Sequence, residues 1–185
     1  MTLSDADVDR WSRQILLPEV GGRGQQRLLA TRVGLRRPRH PHPVADAVED
    51  LLARAGVSAV SNPSADDLDL LIDVGSDIRD TAPTRVPLIR GVSHGAAVSV
   101  LTLVGRPCAC CASRDAVPDD TPAGDDRLAG AAAAACAALV AAEALRTLLD
   151  LPEAGRRQRI DLRRGTFAGE TLETEGCGLC RESHG

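Results

Sequence analysis

The sequence predicts an α/β fold built on a partly parallel sheet. Short apolar runs rich in Val, Leu and Ile alternate with longer segments of helical periodicity, the pattern of strand–helix–strand units. The most apolar run, residues 68–74, is broken only by Asp69 and Asp73 and has the character of a strand buried on both faces of a parallel sheet. At 185 residues the chain holds one domain with a sizeable core. That core must be built from Leu, Val, Ile and Ala, because 43% of the chain is hydrophobic while Phe and Trp occur once each and Tyr not at all.

Taken in order, residues 4–30 read as helical: Ser4 or Asp5 can cap, and Val8, Trp11, Ile15 and Leu16 follow at three- and four-residue steps. Pro18, Gly21, Gly22 and Gly24 interrupt the pattern before it resumes at Gln25. A short strand is expected at 32–36. Prolines at 38, 41 and 43 forbid helix and central strand over the stretch that follows. An amphipathic helix over 44–55 turns Val44, Val48, Leu51 and Leu52 inward and closes at Gly56. Strands are then expected at 57–60, 68–74, 86–90 and 96–104. Residues 114–126, with five Asp, form a polar crossover loop. A long Ala-rich helix over 128–149 stops before Pro152, and residues 159–162 and 166–172 make a terminal hairpin around Arg163, Arg164 and Gly165. The single domain thus divides into a helical arm (1–30), a reduced α/β core (31–104) and a C-terminal part (105–185).

A net charge of −4 gives no reason to expect nucleic acid as a partner. Every basic residue is Arg, so chemistry that requires a lysine amine is closed to this chain. The first nine residues are acidic and lack an apolar run, unlike a signal peptide, and residues 129–142 are mostly Ala, too weakly hydrophobic for a membrane span. A cytoplasmic protein is expected, in which cysteines serve as metal ligands or free thiols rather than disulfides.

Cys108 and Cys111 form one CxxC, and Cys177 and Cys180 a second. Two such turns complete a tetrahedral four-thiolate zinc site with no open position, which is a structural role. The plainer alternatives are unlinked thiols or a redox pair. Cys110 reads as a bystander inside the first knuckle, and Cys136 as a small buried thiol on the Ala-rich helix.

The stretch Asp9-Arg10-Trp11-Ser12-Arg13-Gln14-Ile15-Leu16-Leu17-Pro18-Glu19-Val20-Gly21-Gly22 and the pair Gly24-Gln25 resemble the amino-terminal signature of the ThiF/MoeB family, bacterial relatives of ubiquitin-activating enzymes. Pro107-Cys108 to Cys111, the helix carrying Ala142-Glu143-Ala144, and Cys177 to Cys180 resemble its later motifs. The resemblance implies a Rossmann-like fold, a structural zinc on Cys108, Cys111, Cys177 and Cys180, and a dimer. It also implies an ancestral activity: ATP- and magnesium-dependent adenylation of the terminal glycine of a ubiquitin-like sulfur carrier. Arg13 matches the arginine that reaches towards the neighbouring subunit's ATP.

Three departures set this chain apart from that pattern. Where the family has a glycine-rich phosphate turn, this chain has Arg36-Arg37-Pro38-Arg39-His40-Pro41-His42-Pro43, whose prolines donate no amide and whose side chains block close approach. The segment carrying the ribose acid and the phosphate-binding Arg and Lys is shortened to residues 57–77. The magnesium motif is reduced to Asp73-Val74-Gly75-Ser76-Asp77, with Ser76 at the metal-binding position and Asp77 one residue away.

ATP and magnesium are therefore not expected to bind. The expected function is that of a pseudoenzyme: a zinc-stabilised subunit of a shortened ThiF/MoeB fold, paired with itself or with an active ThiF/MoeB-like protein to which it donates Arg13. It could also recruit a ubiquitin-like sulfur carrier or a peptide, with no nucleic acid or membrane partner. The alternative is an active or altered adenylyltransferase or sulfur-transfer enzyme, with His40 and His42 gripping another anion or with Cys110 or Cys136 as a nucleophile. His94, beside Gly91 and Gly95, reads as a loop residue rather than a base.

Overall fold

The computed structural model describes residues 3–38, 41–61, 67–74, 86–104, 126–151 and 155–172. Helices α1 (Asp5–Ile15) and α2 (Gly21–Ala30) precede β1 (Arg32–Arg36), α3 (Pro43–Arg54), β2 (Ser58–Ser61), β3 (Leu70–Val74), β4 (Leu88–His94) and β5 (Ala97–Leu103). A 3-10 turn, Asp126–Leu128, leads into α4 (Ala129–Leu148), followed by β6 (Gly155–Asp161) and β7 (Thr166–Leu172). The strands form one seven-stranded sheet in the order β2-β1-β3-β4-β5-β6-β7. It is parallel from β2 to β4 and antiparallel from β4 to β7. The expected partly parallel α/β sheet is therefore present.

Several element boundaries differ from expectation, each for a local reason. Gly21, Gly22 and Gly24 do not interrupt a helix but begin α2: Gly21 takes a positive φ of 56°, and an added Cβ at Gly24 would stand 3.0 Å from Leu149, so Gly24 admits the residue that ends α4. β4 does not stop at Arg90 but runs to His94, where Gly95, at φ 54°, supplies the left-handed first position of a two-residue hairpin turn into β5. β6 starts at Gly155 rather than 159, because Arg156 and Arg157 pair with Thr102 and Leu101 of β5.

The larger core lies on one face of the sheet. Val33, Leu35, Leu70, Ile72, Val74 and Ile89 meet Val44, Val48 and Leu52 of α3 and Cys136, Val140 and Ala144 of α4. By length and composition α4 is apolar enough to cross a membrane, with mean hydropathy 1.5, contrary to the expectation from sequence. Its inward side is instead spent on the sheet and on α3, the packing of a core helix. Gly91 permits the close approach: a Cβ there would lie 2.5 Å from Cγ2 of Val140 and 3.1 Å from Sγ of Cys136. A second cluster, Leu71, Leu88, Leu101 and Leu103, lies on the opposite face.

Two polar devices fix the helices. The Trp11 indole donates to the Arg54 carbonyl at 3.2 Å, and the buried Gln25 amide donates to the Ala55 carbonyl at 3.0 Å. These bonds satisfy carbonyls at the C-terminus of α3 that have no partner within the helix. Gly56 next to them has φ 87°, and a Cβ there would meet Nε2 of Gln25 at 2.8 Å. On α4 the buried Glu143 carboxylate accepts from Thr102 at 3.1 Å and Gln158 at 3.4 Å, and Arg156 lies 3.4 Å away. A buried carboxylate is tolerated where such donors converge on it, and these tie α4 to β5 and β6.

Candidate functional site: the carboxyl end of the parallel strands

In open α/β sheets a ligand crevice forms beyond the carboxyl ends of the strands, where the chain's progress across the sheet reverses. Here β2 lies on one side of β1 and β3 on the other, so that point falls between β1 and β3. The residues there are Arg36 and Arg37 from β1 and the turn after it, and Asp73 and Val74 from β3.

Strand register aligns three charges at this end. Arg36 is the partner of Asp73, and Asp73 is the partner of Arg90 on β4. Partners in register present their side chains to the same face. For this row that is the face away from α3 and α4, since Leu35, Ile72 and Ile89, each one residue before, belong to the helix-covered core. Asp73 is fully buried and Arg90 nearly so, at 7% exposure. A buried carboxylate requires compensating charge or hydrogen bonds, and guanidinium-bearing residues flank Asp73 on both adjacent strands. Arg90 was not singled out from sequence: with β4 expected to end there it belonged to a strand terminus, whereas β4 overshoots and carries it into the row.

The start of α3, the other wall of the crevice, is occupied by the protein's own charges. Pro43 is in the first turn and donates no amide, His42 at the N-cap makes no side-chain capping bond, and Asp46 brings a carboxylate to the same turn. Arg37 turns back over this end, paired with Asp46 and, at 3.2 Å, with Glu49. A helix N-terminus that carries its own acid has part of its positive dipole already neutralised.

Arg13 lies elsewhere, exposed in the last turn of α1. Leu16 and Leu17 follow it by three and four residues, at 81% and 50% exposure. The Arg10 guanidinium stands 5.0 Å over the Trp11 ring, and Trp11 is buried. The docked side of α1 thus faces α3, leaving Arg13 and the two leucines outward. Cys136 is buried, and burial pushes its thiol up to about 12, which removes it as a nucleophile. His94 is exposed at the end of β4. Cys108, Cys110, Cys111, Cys177, Cys180, His40, Ser76 and Asp77 lie outside the described residues. Among the described residues no group of three or more His, Cys, Asp or Glu is placed to hold a metal ion.

No family model matches the chain, and no curated protein sequence matches it. Solved structures do. E. coli MccB is similar over 92% of this chain and 72% of its own, with TM-score 0.65 and 13% identity. PaaA is similar over 92% and 75%, with TM-score 0.61 and 13% identity. The E. coli microcin synthetase McbBCD complex is similar over 82% and 69%, with TM-score 0.50 and 13% identity. At these identities what is shared is the fold.

Proposed function

We propose that this chain is a subunit without a nucleotide seat in a ThiF/MoeB-type assembly. It docks through the Arg13–Leu17 end of α1 onto a second ThiF/MoeB-like subunit and serves the modification of a peptide or ubiquitin-like carrier by that partner.

Asp73 set between Arg36 and Arg90 is the observation that carries this function. A magnesium–nucleotide site needs carboxylates available to a dication and backbone amides available to phosphate. Here the buried carboxylate lies between two cationic residues, which repel a dication, and the helix start offers a proline and an acid in place of amides. Electrostatic positioning supplies most of phosphoryl-transfer catalysis, so a seat with the opposite charge pattern does not perform it.

The docking half of the proposal draws on Leu16 and Leu17. Two adjacent leucines left outward beside an arginine fit an interface anchor better than a solvated arm. One of the similar structures is a multi-chain microcin synthetase complex, which favours a peptide as the modified species. The four-cysteine zinc site belongs to the same proposal on sequence grounds, as a structural staple on Cys108, Cys111, Cys177 and Cys180.

Co-expression with an active ThiF/MoeB-like protein should yield a stable complex that Leu16→Asp disrupts. Arg13→Ala should leave the complex intact but slow the partner's adenylation. A partner whose rate is unchanged by this chain, or by Arg13→Ala, removes the donor role.

A further inference from the structure

We infer that β7 is an acceptor edge for an extended acidic peptide, which adds to the sheet as an eighth strand. This inference is independent of how the β1/β3 crevice is used.

Edge strands offer a row of backbone donors and acceptors, and proteins ordinarily blunt them with charge, proline, a bulge or brevity. β7 has no proline, bulge or brevity, and no charge that is not already paired. It is seven residues long, Thr-Phe-Ala-Gly-Glu-Thr-Leu, with no Lys, Arg or Pro, and its register against β6 runs without a bulge from Thr166 to Leu172. Its one charge, Glu170, is held by Arg157 at 2.7 Å. Among the described residues no strand pairs with its outer side. The opposite edge, β2, is four residues long. Phe167 stands outward on β7 at 62% exposure.

A groove of about 150 Å³ lies over the β6–β7 ladder beside this edge, lined by Arg157 and Arg159 of β6 and by Ala168, Gly169 and Glu170 of β7. Ala168 and Gly169 make a floor of small residues that leaves room for a side chain of an added strand. The charge of the hairpin selects the peptide. Residues 155–172 contain five Arg against Asp161 and Glu170, in a chain whose net charge is −4. Arg159, Arg163 and Arg164 are exposed on β6 and its turn. Backbone pairing supplies affinity in strand addition and side-chain contacts supply selectivity; here an acidic strand is favoured and a basic one repelled.

The test uses the full chain and two fluorescent peptides of one length, one alternating Glu with Val and the other Lys with Val. The acidic peptide should bind, raising anisotropy, while the basic one does not. On binding, the β7 amides that do not bond β6 should become protected from hydrogen exchange. Arg159→Glu with Arg163→Glu should weaken binding by about tenfold or more, and Glu170→Gln should tighten it, each variant melting near the parent temperature. Equal binding of both peptides, no binding of either, or outward β7 amides already protected in the free protein would overturn the inference.

Discussion

Replacing Gly91 by Ala tests how α4 is seated on the sheet. The new methyl would lie 2.5 Å from Cγ2 of Val140 and 3.1 Å from Sγ of Cys136, whereas apolar carbons in contact stand roughly 3.5–4.0 Å apart. Both neighbours are fully buried, so neither can swing into solvent. Either Val140 leaves its rotamer or α4 lifts, and such overpacking costs about 1–3 kcal/mol. For a chain of this size that lowers the melting temperature by about 2–12 °C. Val140→Ala alone should cost about 1.5–3 kcal/mol through lost burial and the cavity left behind. In the double variant the methyl at 91 enters that cavity, so the two costs should fall short of additive by about 1 kcal/mol or more. Urea unfolding of the four proteins measures this directly. Additivity within about 0.5 kcal/mol would show that α4 does not press on β4 at Gly91.

Glu143→Ala should cost about 2–3 kcal/mol in the same assay, because Thr102 and Gln158 are left as buried donors without an acceptor. Glu143→Gln, which keeps an acceptor for Thr102, should cost about 1 kcal/mol, and a larger loss than for alanine would refute the node. Cys136, with its thiol pushed up to about 12 by burial, should resist alkylation at pH 8 in native protein and react on unfolding, as read by peptide mass mapping. Its folded value lies above the ordinary thiol value of 9.0, so the protonated thiol stabilises the fold fully below pH 9. That contribution is lost as pH rises towards 12, and Cys136→Ala should flatten this alkaline loss relative to the parent.

Periodicity made the central elements legible. The apolar run holding Leu70, Leu71 and Ile72 is an interior strand as expected, whereas Pro43, expected with Pro38 and Pro41 to forbid helix, instead opens α3, where a first-turn residue needs no amide donor. Glycines were misread where their role is contact rather than conformation. Gly24 resembles a breaker but is small because Leu149 sits on it, a long-range fact with no local signature. The candidate crevice is half legible in the sequence: the Arg- and Pro-rich turn after β1 and Asp73 both stand out there. The alignment of Asp73 with Arg36 and Arg90 depends on strand register, which is set by pairing across the sheet and not by any one segment. Glu143 enters the sequence reading only within the Ala142-Glu143-Ala144 motif; its buried contacts with Thr102, Gln158 and Arg156 depend on β5 and β6 being brought to it.

Calorimetric titration of the full chain with ATP and Mg²⁺ bears most directly on the charge pattern at the β1/β3 crevice. With Asp73 between Arg36 and Arg90, and with Arg37 closing the start of α3, no saturable heat is expected up to about 1 mM nucleotide, equivalent to binding weaker than about −4.1 kcal/mol. Saturable micromolar binding that requires magnesium and is lost in Asp73→Asn would contradict it, for Asp73 would then be serving the metal rather than its neighbouring arginines.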